Sequence, residues 1–249
     1  MTSLYTTLCV MGPHSRALMQ NLTSDKLDSI NFKQGTCRVM DIACAPEILT
    51  MSMTHTGELG YVMYIPNEFA IHVYDAIVEE GKKLDLKHCG YYAQRAVRIE
   101  KFMAFWGQDL DSFATPMESG RESRVKMKSD IDFIGKEALQ KQVDEGVKKL
   151  FVMLLLEQMD HNSDLDPWPW GGESIYRNGE FCGTVTTTSY GFSLNKQVCL
   201  GFIKNLDADG QPQVIDKEYV TSGEFEVDIL GIKYPATARL YQPKLPKKV

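Results

Sequence analysis

At 249 residues, 43% of them hydrophobic and 24% charged, the chain has the composition of an ordinary globular protein and room for one large domain or two modest ones. Its net charge of −6 argues against a general nucleic-acid binder, which needs a basic face to neutralise phosphates; the only basic cluster, the PKLPKKV tail, reads as a short solvated end. No apolar run approaches the roughly 20 residues that span a bilayer, and no basic, acid-poor leader opens the chain, so it reads either as cytosolic or as lacking its own beginning.

In chain order, LYTTLCVM near the start predicts a strand, and Pro13 opens a short amphipathic helix with Ala17, Leu18 and Leu22 on its apolar side. Residues 36–65 alternate as two or three strands, the last two joined by a turn holding Thr56, Gly57, Glu58 and Gly60. There Gly57 and Gly60 are expected to supply unusual backbone angles. After Pro66, Asn67 caps a helix whose stripe is Ala70, Val73, Tyr74, Ile77 and Val78, with Gly81 as its stop. Another helix starts near Gly90 and carries Tyr92, Ala93, Ala96 and Val97. A further one runs from Gly135 to Gly146 on Ala138, Leu139 and Val143.

Beyond Lys148 short strand-like runs alternate with turns. They include the strand-length run from Leu150 to Leu156, VTTTSY, QVCLGFI, QVIDKEYV and FEVDIL, and a hairpin turn at Asn178-Gly179. About 100 residues of this pattern predict a small all-β barrel or sandwich, with the domain boundary at Gly146.

Few local motifs carry chemistry. DHNSD at 160–164 mimics the start of a calcium loop, but Leu165 and Gly171 stand where a glycine and a glutamate are needed, so it reads as a polar loop. Six cysteines form no C-x-x-C pair and lie mostly among apolar neighbours, which predicts reduced, packed thiols. The five histidines have no local nucleophile partner, so neither a catalytic residue nor a metal site is expected. In PWPWGG at 167–172, Trp168 and Trp170 either cover the barrel mouth, the favoured reading, or anchor a partner. Glu58 is either a solvated turn residue or a ligand contact. Glu100, after Arg98, ordinarily pairs with Arg95, Arg98 or Lys101; the alternative is a carboxylate accepting two parallel hydrogen bonds from a flat heterocycle.

The stretches VMGPHSRALMQNLT, MTHTGELGYVMYIP, GYYAQRAVRIEKFMAFWGQDLDSFATPMESG and DFIGKEAL, followed by the run from IYRNGEFCG to VCLGF, resemble the folate-binding aminomethyltransferase family. That family includes the glycine-cleavage T-protein and the C-terminal halves of dimethylglycine and sarcosine dehydrogenases. The combination of T-G-E-x-G, R-[IL]-E and T-P-x-E-x-G carries the resemblance across essentially the whole chain. FMAFWGQDL, GRESRVK and DSDLDPWPWGGESIYRNG are most similar to a branch that regulates the phosphatase of pyruvate dehydrogenase.

The resemblance implies an α+β fold: an incomplete folate-binding aminomethyltransferase domain over residues 1–146, its N-terminal part missing, followed by a C-terminal β-barrel over 147–249. It implies a non-catalytic regulatory subunit whose partner is the catalytic subunit of that phosphatase, in the mitochondrial matrix. The alternative is the folate-dependent one-carbon transfer part of a dimethylglycine- or sarcosine-type dehydrogenase or aminomethyltransferase. Tetrahydrofolate is the implied ligand, with FAD only in a full-length form. Glu100 matches the family carboxylate that meets the pterin, Arg98 accompanies it, and Glu58 matches a turn position that braces the floor of the pocket. Arg121, Glu122 and Arg124 replace a segment that is small and apolar in the folate enzymes. Arg121 and Arg124, with Trp168 and Trp170, are the expected partner contacts.

Overall fold

The computed structural model describes residues 2–159 and 167–245; the calcium-loop mimic at 160–164 and the last lysines of the basic tail lie outside the described residues. The chain divides into two compact units, Met1–Gln94 and Arg95–Val249.

The first unit is built on an antiparallel sheet of β1 (Tyr5–Met11), β2 (Cys37–Ile42), β3 (Ala45–Ser52) and β4 (Gly60–Pro66), in the order β1-β4-β3-β2. Period-two alternation sends Val10, Met40, Ile48, Tyr61, Met63 and Ile65 to one face. There they form a core with Leu18 and Met19 of α1 (Ser15–Gln20) and Val73 and Ile77 of α2 (Asn67–Gly81). Helix α1 begins two residues after Pro13, and Ala17 is exposed. Asn67 does not cap α2: its side chain accepts from Thr6 Oγ1 at 2.8 Å and donates to the Ser3 carbonyl at 2.7 Å, tying the helix start to β1. Gly81 is not a left-handed stop either. It lies inside the helix, and a Cβ there would sit 2.6 Å from Leu86 Cβ, so the glycine admits that leucine.

The turn before β4 uses its two glycines differently. Gly57 has φ +75°, which a side chain would strain, whereas Gly60 has no unusual angle. A Cβ at Gly60 would lie 2.8 Å from Met11 Cγ and 2.9 Å from the Met53 carbonyl oxygen, so close approach of the chain demands it.

The second unit is a barrel with its attached segments. Strands β5 (Lys149–Leu156), β6 (Ser174–Arg177), β7 (Glu180–Gly191), β8 (Lys196–Leu206), β10 (Phe225–Ile229) and β11 (Ile232–Arg239) run in the order β5-β11-β10-β6-β7-β8. Pairing of β5 with β8 closes the ring, and the two-residue β9 (Pro212–Gln213) adds to the end of β8. The uninterrupted apolar run of β5 follows from burial on both faces. Val152, Leu154 and Leu156 enter the barrel core with Cys199, Ile203 and Val227. Phe151, Met153 and Leu155 point outward, into a second cluster with Ile99, Val198 and Leu200.

The β6–β7 turn has Asn178 at φ +50° and Gly179 at φ +85°, the doubly left-handed geometry that Asn-Gly favours. QVIDKEYV is not one strand. After β9 the chain turns into α5 (Lys217–Ser222), because the Asp216 carboxylate accepts from the Tyr219 amide at 2.8 Å and caps a helix there.

Helix α4 (Lys136–Glu145) lies between Gly135 and Gly146 but buries no residue fully, and Val143 is 51% exposed. Its bounds are two glycines at positive φ, Gly135 and Gly146, and not an inward stripe. The expectation of packed thiols holds for two of the six cysteines. Burial pushes the Cys182 and Cys199 thiols up to about 12, while Cys9, Cys37, Cys44 and Cys89 are exposed.

Candidate functional site

Of the residues Tyr92, Ala93, Ala96 and Val97 expected on helix α3 (Tyr91–Glu100), only Ala96 is fully buried; the others buried there are Arg98, Ile99 and Glu100. Tyr92 is 73% exposed. The helix therefore drives two charged side chains inward at its C-terminal end, where each needs partners.

The Arg98 guanidinium finds them in the segment that follows. Nη1 donates to Asp109 Oδ2 at 2.7 Å and to the Met103 carbonyl at 2.8 Å, and Nη2 donates to Gln108 Oε1 at 2.8 Å. Arg98 and Asp109 form an ion pair with side-chain exposures of 3% and 0%. Asp109 accepts two further bonds: Oδ2 also accepts from the Phe105 amide at 2.8 Å, and Oδ1 accepts from Thr186 Oγ1 on β7 at 2.7 Å. The adjacent Thr187 hydroxyl accepts from Arg95 Nε at 3.1 Å. Such a pair is costly to break, because removing one ion leaves the other buried without its counter-charge.

Glu100 is 5% exposed and turns both oxygens to one residue. Oε2 accepts from the Ser193 amide at 2.9 Å, and Oε1 accepts from Ser193 Oγ at 3.0 Å. Ser193 lies between β7 and β8, so α3 is pinned to that hairpin by one carboxylate and two donors. This is the parallel-donor geometry expected for a flat ring, with the donors supplied by the chain itself. Glu100 is not paired with Arg98, whose partners are different.

The T-P-x-E segment closes on itself. The Thr115 amide donates to Glu118 Oε2 at 2.9 Å and the Glu118 amide to Thr115 Oγ1 at 3.2 Å, a reciprocal cap. The Glu118 carbonyl then accepts from the Phe151 amide at 2.9 Å, docking the segment on β5. Arg121, just beyond, is half-buried: it donates to the Ser119 carbonyl at 2.5 Å and lies over the Phe151 ring at 5.8 Å. Burial holds its guanidinium below the ordinary value, the Arg124 charge lowers it further, and Asp109 opposes both. Arg124 is exposed.

Trp168 and Trp170 do not cover the barrel mouth. They are 47% and 71% exposed, while Pro169 between them is buried. The loop is fixed from within, since the Glu173 carboxylate accepts from the Trp170 amide at 2.5 Å and the Gly171 amide at 2.9 Å. Glu58 is half-buried and belongs to the first unit, whereas the other candidates belong to the second. The structure thus brings Arg98, Glu100 and Arg121 into one neighbourhood with Asp109, Thr186 and Ser193, which sequence reasoning missed. Asp109 had a signal, an acid inside the aromatic run FMAFWGQDL. Thr186 and Ser193, nearly a hundred residues on, had none.

The model of the GCVT N-terminal domain matches residues 1–129, and that of the glycine cleavage T-protein C-terminal barrel domain matches residues 150–243. The chain belongs to the glycine cleavage T-protein family. It is 45% identical over 95% of its length to the mitochondrial pyruvate dehydrogenase phosphatase regulatory subunit of Mus musculus, covering 27% of that protein. It is 34% identical over 92% of its length to the mitochondrial dimethylglycine dehydrogenase of Homo sapiens, covering 24% of it. The chain thus spans about a quarter of the length of these curated relatives. The crystal structure of the glycine cleavage system aminomethyltransferase T from Bartonella henselae superposes with a TM-score of 0.72 at 18% identity. The match covers 98% of this chain and 61% of that one, and it supports the fold.

Proposed function

We propose that the chain is part of a non-catalytic regulatory subunit that binds the catalytic subunit of the phosphatase acting on pyruvate dehydrogenase and tunes its response to magnesium. The observation that carries this reading is the 45% identity to the mouse regulatory subunit, against 34% to human dimethylglycine dehydrogenase over a nearly equal span. The mitochondrial names of both relatives support a mitochondrial location, and we place the protein in the matrix. The partner contacts of this reading are Trp168, Trp170, Arg121 and Arg124, with Arg124 and the two indoles displayed and Arg121 partly spent on Ser119 and Phe151. Regulation of this kind is a coupling free energy between two states of the partner.

The scaffold's ligand in this reading is tetrahydrofolate, with FAD confined to a longer form. As the residues stand, each Glu100 oxygen already accepts one hydrogen bond from Ser193. Arg98 is committed to Asp109, Gln108 and Met103. In this reading folate binding is a donor exchange at Glu100, Ser193 leaving as two ring N–H groups arrive, while Arg98 holds the helix end and Glu58 braces its own turn. We take the division between folate-type domain and barrel at residue 146.

Co-purification with the phosphatase catalytic subunit, followed by a change in its magnesium dependence, tests the regulatory reading. A partner that neither binds nor shifts its magnesium response overturns it. The second reading, the one-carbon half of an amine dehydrogenase, rests on the 34% identity to the human enzyme. Oxidation of dimethylglycine by a flavin-loaded longer form would establish it. Folate should raise the melting temperature in either case, and Glu100→Ala should abolish that shift; no shift at millimolar folate refutes the ligand assignment.

A further inference from the structure

Tryptophan is usually highly buried, yet all three in this chain are exposed: Trp106 at 68%, Trp168 at 47% and Trp170 at 71%. Two loops carry them, and both loops converge on Thr186. Trp106 lies in a tight turn in which the Gly107 amide donates to the Leu110 carbonyl at 2.7 Å, and Asp109 of that turn accepts from Thr186 Oγ1. Trp170 precedes Gly171, where a Cβ would lie 3.0 Å from the Thr186 carbonyl oxygen, and the Gly172 amide donates to the Val185 carbonyl at 2.8 Å.

Each loop has fixings of its own. The first is fixed by the buried Arg98–Asp109 pair and the second by Glu173 and buried Pro169. Large aromatic side chains displayed on backbone already immobilised lose little freedom on binding, which is the character of an interface anchor.

A basic segment begins at Arg121, close enough to the Trp106 turn for the Asp109 charge to act on its guanidinium. Arg121, Arg124, Lys126 and Lys128 stand against one carboxylate, Glu122, in a chain whose net charge is −6. Arg124, Lys126 and Lys128 are exposed. The start of the segment is tied to the aromatic side through rings: Arg121 lies over Phe151, which stacks on Phe102 at 5.3 Å, four residues before Trp106. A local positive patch attracts an acidic partner and speeds that encounter.

We propose that Trp106, Trp168 and Trp170, with the basic segment beginning at Arg121, form one docking surface for an acidic, apolar-tipped loop of a protein partner. This rests on the regulatory reading, so that the partner is the phosphatase catalytic subunit. It adds Trp106 as an anchor and assigns the basic side to steering and the aromatic side to affinity.

The test is titration of the full chain with the purified catalytic subunit, at low salt and at about 0.5 M salt, where exposed charges are screened. Trp106→Ala and Trp170→Ala should each weaken binding about tenfold or more at both salts. Arg124→Glu should weaken it several-fold at low salt and little at high salt. Tyr241→Ala, removing a ring that is 68% exposed elsewhere on the unit, should leave affinity within twofold. Unchanged melting temperatures would establish that the variants are folded. Wild-type binding that all four variants retain within twofold overturns this inference and leaves the regulatory reading standing. No binding by the wild type overturns both.

Discussion

Deleting the Glu100 carboxylate should unpin α3 from the β7–β8 hairpin, with a cost that follows from the two hydrogen bonds it accepts. A hydrogen bond to an ionised group contributes about 1.5–3 kcal/mol, and a buried donor left unpaired loses the cost of its desolvation as well. Glu100→Ala removes both acceptors and strands the Ser193 amide and hydroxyl, which predicts a loss of about 3–4 kcal/mol. Ser193→Ala removes only the Oγ bond at 3.0 Å and leaves the amide bond at 2.9 Å. Its expected cost is about 1.5–2 kcal/mol. In the double variant the hydroxyl has no acceptor to lose, so the two effects should fall short of additivity by about 1.5 kcal/mol. All three tryptophans lie in the second unit, so their fluorescence in urea follows that unit without interference from the first. A site-resolved readout is hydrogen exchange at the Ser193 amide. It should be protected in the wild type and lose protection in Glu100→Ala. Additivity within about 0.3 kcal/mol, or a freely exchanging Ser193 amide in the wild type, would refute the latch.

Asp109→Ala should destabilise the second unit by about 3–5 kcal/mol, since it leaves the Arg98 guanidinium buried without its counter-ion; a urea midpoint close to wild type would refute that role. In the native protein at pH 8, an uncharged thiol reagent should modify Cys37, Cys44 and Cys89 while Cys182 and Cys199, held near 12 by burial, stay unmodified until unfolding. The sign of the linkage follows: folded-state values raised above the ordinary 9.0 give stability that is complete below pH 9 and is lost as pH rises from there towards 12. Gly183→Ala should abolish barrel folding or cost several kcal/mol, because its Cβ would lie 2.0 Å from the Phe202 carbonyl oxygen. Gly90→Ala meets nothing within 4 Å and should be tolerated, and equal melting temperatures for the two would refute the steric argument.

The fold was legible wherever one local rule had no competitor. Alternation in FEVDI gave β10 with Phe225, Val227 and Ile229 inward, and Asn178-Gly179 gave the β6–β7 hairpin. Errors arose where two local signals competed. In QVIDKEYV the β-branched residues predict a strand, but Asp216 stands three residues before Tyr219 and its cap wins. Asn67 after Pro66 has the chemistry of a helix cap, yet Ser3 and Thr6, more than sixty residues away, claim its side chain first. Gly81 resembled a helix stop because a glycine needed for Leu86 and one needed for a left-handed angle are identical in sequence.

The site was legible to the level of residue type and no further. Arg98 and Glu100 stand at the end of a helix before an aromatic run, and both are buried there. The identity of the counter-group is a property of tertiary contact. Two parallel donors facing a carboxylate serve a heterocycle or a serine equally well, and Ser193 is separated from Glu100 by 93 positions of chain. The same limit governs the tryptophans, since P-W-P-W specifies a stiff loop without specifying which side of it faces water. Burial of Pro169 settles the matter, turning the indoles outward as the proline goes in. The chain pairs its buried Arg98 and Glu100 with its own groups and leaves Trp106 and Trp170 exposed to solvent. For the regulatory reading this makes competition at Glu100 and contact at Trp106 and Trp170 separable: Ser193→Ala should alter folate affinity without weakening the phosphatase complex, and a parallel change in both would show that one site serves the two.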